Sequence, residues 1–220
     1  MTRSLILDVD GVLVKDPLLL EHVRYNVVQY VRAKLPDAKQ PERVNRILYK
    51  QYGHTAIGLE KAFRIDANDF NKQVYNKKLI GHLWEYLMGY EYQRDAKVVS
   101  EIIDNGWDVT LFSNSPLEWT LPVLQATDQR MKIHETGFLK PDIRAYTGLS
   151  ARTRHLFVDD KRDNLRPTVG FRNWTPVHFR EGIVKDNETH PEFPTVSSMW
   201  EVGLMCGTIN DWGFASVSNL

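Results

Sequence analysis

Thiols are nearly missing from this chain. Cys206 is the only cysteine in 220 residues, which excludes an intrachain disulfide and a cysteine-rich metal site. An excess of one charge is missing too. Its 28 basic side chains stand against 28 acidic ones, so no general attraction to nucleic acid or anionic membrane is expected. Long apolar runs are also lacking. The apolar stretch in MTRSLILDVDG is cut by Asp8 and Asp10, too early for a secretion signal or a membrane span. The expectation is a soluble, cytoplasmic protein with no nucleic-acid and no membrane partner. There is no GxxxxGK[ST] loop and no G-x-G-x-x-G after a strand, which leaves nucleoside triphosphate and dinucleotide binding unsupported. The seven histidines show no HExxH spacing. Asn187-Glu188-Thr189 fits a glycosylation acceptor, but without a secretion signal it reads as ordinary surface.

What is present is a recurrent pattern of short apolar strands, at 4–10, 108–113, 155–160 and 174–179. Between them lie helical stretches. In 94–104, Val98, Val99, Ile102 and Ile103 share one side and Gly106 follows the end. Ser115-Pro116-Leu117-Glu118 reads as N-cap, first-turn proline and capping-box glutamate. Strands alternating with helices predict an α/β protein with a three-layer core built on a mostly parallel sheet, Rossmann-like in form. Residues 16–92 break the alternation, with helical faces such as Val44, Ile47, Leu48 and Tyr52, then Leu59, Ala62 and Phe63, then Phe70, Val74 and Tyr75, and then Leu79, Leu83, Trp84 and Leu87. The simplest division is a core of 1–15 and 93–220 with an α-helical cap of 16–92 inserted after the first strand. The stretch 181–220, rich in Gly, Pro and Ser, resists assignment.

Two apolar strands end in acids, SLILDVD at Asp8 and Asp10 and HLFVDD at Asp159 and Asp160. Residues i and i+2 of a strand share a face, so Asp8 and Asp10 point the same way if the strand runs through both. Burying such a pair costs several kcal/mol unless a cation compensates, and Mg²⁺, which prefers oxygen ligands, is the natural one. Capping or turn aspartates are the plainer explanation of either acid alone, but not of two acidic strand ends. Ligands in open α/β sheets bind beyond the carboxyl ends of strands. LFSNSP brings Ser113 and Asn114 to such an end just before a helix, where a hydroxyl and backbone N–H groups make a phosphate cradle. In GFLKPD, Lys140 precedes proline, which biases it toward extended backbone aimed at the same edge. Together these form a phosphoryl-transfer site, in which cations reduce the repulsion between an attacking carboxylate and a phosphate.

DVDGVLV, LFSNS, LKPD and FVDD, in that order, resemble the four motifs of the haloacid dehalogenase-like (HAD) superfamily. The resemblance implies a HAD-like Rossmann-like core with a helical cap between the first two motifs. It implies that Asp8 is the nucleophile, that Asp10 is the general acid/base, and that Ser113 and Lys140 bind the phosphoryl group. Asp8, the backbone carbonyl of Asp10 and Asp160 would hold Mg²⁺, with Asp159 close by. An acid at position 10 marks the phosphatase and phosphomutase branches rather than the dehalogenases. In the insert, LYKQYGHTAIGLEKAF is similar to the YGxTxxGL segment of pyrimidine 5′-nucleotidase-like members, matched at Tyr52, Gly53, Thr55, Gly58 and Leu59. Gly11-Val12-Leu13 departs from that subgroup. Tyr49, Tyr52 and His54 are the insert residues expected near a substrate, while Trp84, Trp107, Trp119 and Trp174 are expected in packing. The expected activity is Mg²⁺-dependent hydrolysis of a small phosphate ester, with a nucleoside monophosphate favoured. The alternatives are a phosphomutase, or a binding protein that keeps the fold without turnover.

Overall fold

The computed structural model describes residues 2–149, 151–181 and 192–207. The glycosylation-like tripeptide at Asn187 lies outside them. Six strands form one parallel sheet: β1 Arg3–Leu7, β2 Trp107–Leu111, β3 Lys132–Ile133, β4 Arg154–Asp159, β5 Trp174–Phe179 and β6 Thr195–Val196. Their order is β3-β2-β1-β4-β5-β6. β1 lies in the middle, and alternation sends its side chains to two buried layers. Leu5 and Leu7 join the larger core cluster, and Ile6 packs with Phe112, Tyr146 and Phe157 on the other face. β2, β4 and β5 match the expected strands to within one or two residues. β3 and β6 are two residues long and carry too little sequence to show a period.

Six helices separate β1 from β2, and the first five are α1 Pro17–Lys34, α2 Pro41–Tyr52, α3 Thr55–Phe63, α4 Ala67–Val74 and α5 Lys77–Leu87. Then come α6 Tyr90–Asp104 and α7 Leu117–Thr127, the short α8 Arg162–Leu165, and α9 Met199–Met205. Leu48, Leu59, Phe70, Val74, Leu79, Leu83 and Leu87 are buried, whereas Ile47 and Phe63 face solvent. Gly53 ends α2 in the left-handed region at φ 77°. Gly58 lies inside α3. A Cβ there would stand 2.8 Å from that of Leu48, so the glycine lets α3 press against α2.

The two chain crossings between insert and sheet are tied together. The Tyr86 hydroxyl accepts from the Lys15 N–H at 3.1 Å and donates to the Leu13 carbonyl at 3.0 Å. The Lys15 ammonium lies 2.6 Å from the buried carboxylate of Asp95 on α6. No helix among the described residues is long and apolar enough to cross a membrane.

Candidate active site

Sheet register brings the candidate residues together. Leu7 is level with Leu111 on one side and Val158 on the other, so the loops after β1, β2 and β4 leave at the same height. β1 connects toward β2 on one flank and adjoins β4 on the other, the kind of crevice that open parallel sheets use for ligands. The strand stops at Leu7, however, so the shared-face argument for Asp8 and Asp10 does not hold. A tight turn follows, in which the Val9 carbonyl receives the N–H groups of Leu13 at 3.0 Å and Val14 at 2.8 Å. The two aspartates are turned apart by it.

Asp8 faces Lys140. Its Oδ1 accepts from the Val9 N–H at 2.7 Å and lies 3.1 Å from the Lys140 ammonium. Among the described residues no hydrogen-bond donor reaches its Oδ2. Lys140, 1% exposed, also donates to Asp159 Oδ2 at 2.6 Å and to the Phe112 carbonyl at 2.5 Å, with its ammonium over the Phe112 ring. Burial opposes its charge, but Asp159 and Asp8 outweigh that and hold its pKa above the ordinary lysine value. Asn114 fixes the lysine's backbone, accepting from the Lys140 N–H and donating to its carbonyl, both at 2.8 Å. That places Asn114 as a brace for the lysine loop. The Ser113 hydroxyl receives the Ser115 N–H at 3.0 Å.

Asp159 and Asp160 play unequal parts. Asp159 is fully buried and its oxygens are saturated by Lys140, by the Lys161 N–H at 2.8 Å and by the Asn164 amide at 2.9 and 3.0 Å. Asp160 is the reverse. Its buried Oδ1 has no hydrogen-bond partner among the described residues, and burial, with Asp8 beside it, pushes its pKa up to about 6. Oxygens of Asp8, Asp159 and Asp160 lie within 4.8 Å of one another. Gly11 allows this approach. Its φ is +85°, and a Cβ there would fall 2.5 Å from Asp160 Oδ2. Asp163 stands apart, exposed and paired with Arg166.

The Asp10 carboxylate is not in that cluster. Its Oδ1 accepts from the Trp119 indole N–H at 2.8 Å and its Oδ2 from the Ser115 hydroxyl at 2.5 Å. Burial and then the charge of Asp8 raise its pKa, against the lowering effect of those two donors. The expected capping box at Ser115 and Glu118 is therefore absent. The helix starts from Pro116 with no side-chain cap, because the serine hydroxyl is turned to Asp10. The Asp10 carbonyl, expected toward a metal ion, takes no part in the hydrogen bonds of the turn.

A cavity of about 670 Å³ opens over Asp10, Asp160 and Lys161 and is walled by the insert helices. Asp8 does not line it, but an oxygen of Asp8 lies within 4.8 Å of one of Asp160, which does. Tyr49 and His54 line it, as do Phe70, Tyr75 and an apolar strip of Leu20, Val23 and Val27. Tyr52 does not; it packs against Gly58 instead. His54 caps α3 by accepting the Ala56 N–H at 3.2 Å, and burial together with Lys161 lowers its pKa to about 4, so the ring is neutral. Arg24, Arg46 and Lys50 also line the cavity, with no carboxylate within 4 Å among the described residues. Lys161 faces Tyr49, Asp8, Asp160 and Asp10, which raise its pKa although burial works against them. The sequence did not single out Lys161 or Asn164, and it gave Ser115 and Trp119 other roles, as an N-cap and a packing residue. The place of Lys161 directly after Asp160 was the one available signal.

No family model and no curated protein sequence matches the chain. Solved structures do match it in fold. CbbY from Rhodobacter sphaeroides in complex with phosphate aligns at a TM-score of 0.60 and 16% identity, covering 92% of this chain and 97% of that one. An L-2-haloacid dehalogenase aligns at 0.54 and 11%, covering 95% and 100%. The L-2-haloacid dehalogenase from Xanthobacter autotrophicus with chloropropionic acid covalently bound aligns at 0.50 and 11%, covering 93% and 98%. The chain has the haloacid dehalogenase-like α/β fold.

Proposed function

We propose that this protein is a hydrolase of small phosphate monoesters that works through Asp8. The observation that carries this reading is the Asp8 carboxylate, anchored at Oδ1 by Lys140 and the Val9 N–H and, among the described residues, without a donor at Oδ2. Oδ2 forms the bond to phosphorus as the ester P–O bond breaks, and Asp10 gives its proton to the departing alkoxide. Asp10 then takes a proton from the water that attacks phosphorus, which frees Asp8 and releases inorganic phosphate. Lys140 holds Asp8 oriented, and Lys161 draws the phosphate dianion to the cavity floor.

The residues fit a divalent cation. Among the described residues Asp8, Asp10, Asp159 and Asp160 face two ammonium groups, Lys140 and Lys161, which leaves two negative charges uncompensated when all are ionised. Asp8 and the partnerless Oδ1 of Asp160 would hold Mg²⁺, with the Asp10 carbonyl free to join them. When bound, the ion neutralises charge on the phosphoryl oxygens. Asp159, already saturated, serves to hold Lys140.

Asp10 separates this reading from dehalogenation, the chemistry named for two of the fold neighbours. A halide leaves without a proton, whereas an alkoxide needs one, and a buried carboxyl group with a raised pKa supplies it. As the finer substrate class we favour a pyrimidine nucleoside 5′-monophosphate. Tyr49, Phe70 and Tyr75 offer flat surfaces for a base, and the cavity falls in the usual range for small ligands. The test is phosphate release from UMP, CMP, purine nucleotides, sugar phosphates and an aryl phosphate, with and without Mg²⁺, alongside chloride release from 2-chloropropionate. Mg²⁺-dependent phosphate release that is abolished in Asp8→Asn is expected. Full turnover in Asp8→Asn, or chloride release alone, would sink the reading.

A further inference from the structure

Both oxygens of the Asp10 carboxylate are held from one side, by α7 and the turn before it. The two donors differ in kind. An indole N–H can only donate, whereas a serine hydroxyl donates or accepts. A proton on Asp10 therefore cannot lie between Oδ1 and Trp119, but it can lie on Oδ2 facing Ser115, whose Oγ accepts it after a turn of the hydroxyl. Ser115 lines the cavity and Trp119 does not. Trp119 is fully buried, and Tyr75, at the end of α4 in the insert, packs on it with ring centroids 5.5 Å apart and interacts with Ser115.

We propose that Trp119 and Ser115 are positioning residues for Asp10: the indole N–H locks Oδ1, so that Oδ2, on the cavity side, is the oxygen that carries and delivers the proton. This rests on the hydrolytic reading above. It explains why a helix start with the sequence of a capping box leaves its cap unmade, and why a buried tryptophan in a helix otherwise built for packing turns its one polar atom toward the reacting loop. Tyr75 braces both donors, so the arrangement of the acid/base depends on a residue of the insert.

Because the two residues act through proton delivery to the leaving group, their loss is felt according to how much that group needs a proton. The experiment compares kcat/KM for an alkyl phosphate and for p-nitrophenyl phosphate, whose phenolate leaves unprotonated, in wild type, Trp119→Phe and Ser115→Ala. With one of two hydrogen bonds to a general acid removed, the alkyl ester is expected to lose about tenfold, roughly 1.4 kcal/mol, and the aryl ester less than about threefold. Equal losses on both esters, or a change in KM alone, overturn the proposal, since a merely structural role would affect both substrates alike. If Trp119→Phe does not fold, Ser115→Ala, at a partly exposed position, decides by the same ratio. A wild-type protein inert toward every ester overturns the hydrolytic reading and this proposal with it. An active wild type with uniform losses overturns this proposal alone.

Discussion

Replacing Lys140 with methionine tests whether the site is held together by charge. Methionine keeps the length and most of the volume of the side chain, so the change removes little besides the ammonium group. That ammonium lies 2.6 Å from Asp159 and 3.1 Å from Asp8 in a position 1% exposed. Both carboxylates are then buried without their countercharge, and breaking a buried pair in this way costs about 3–5 kcal/mol. For a chain of this size that is a fall in melting temperature of roughly 6–20 °C. Circular dichroism in a urea titration measures it, without divalent cation so that no metal substitutes for the lost charge. Adding Asp159→Asn to Lys140→Met removes one of the stranded charges and is expected to recover about 2 kcal/mol, a coupling that contacting residues show and distant ones do not. A Lys140→Met protein within about 1 kcal/mol of wild type would mean that this ammonium does not compensate the buried carboxylates around it, and the account of the nucleophile's anchor would fall.

The remaining expectations address the loop, the cation and the cavity wall. Gly11→Ala forces a side chain into φ +85° and against Asp160; it should cost about 1–3 kcal/mol and weaken Mg²⁺ binding by calorimetry, and unchanged affinity would contradict the role given to Asp160. The folded-state pKa of Asp160, about 6, lies above its unfolded value. Its contribution to stability is therefore fully present below about pH 4 and is lost as pH rises through 6. Without divalent cation, Asp160→Asn should remove part of the decline in stability between pH 5 and 7.5. An identical decline in wild type and variant refutes this, and saturating Mg²⁺ should restore stability at pH 7.5 in wild type only. Arg46→Ala, at the cavity wall and far in sequence from the sheet loops, should raise KM several-fold with kcat within about twofold; a fall in kcat alone would place Arg46 outside substrate binding.

The sheet and its carboxyl-end acids were legible because a strand buried on both faces must be a continuous apolar run, and an acid closing such a run is conspicuous. Lys140 was legible through the proline after it. What stayed hidden depends on where distant pieces of chain meet. Ser115 looks like an N-cap because the local pattern is complete, and only the approach of Asp10 from β1 diverts its hydroxyl. Trp119 looks like packing and is packing, apart from one nitrogen. Asp159 and Asp160 are indistinguishable as letters, yet one is saturated by Asn164 and Lys140 and the other left open. Tyr52 and Gly58 matched a recognisable segment, and in the fold they serve the contact of α2 with α3 rather than the cavity.

The paired ties at Leu13, Lys15, Tyr86 and Asp95 bear on how such a protein can be rebuilt. The sheet makes its own hydrogen bonds without the helices between residues 17 and 87, so those helices resemble a cartridge that another sequence could replace. The junction sets the terms of any such exchange. A transplanted insert must return a hydroxyl to the position of Tyr86 to bridge Lys15 and Leu13, and leave Lys15 its contact with Asp95. It must also bring an aromatic ring to where Tyr75 meets Trp119. A chimera that keeps the catalytic loops but omits those few contacts would carry the right chemistry on a misaligned frame.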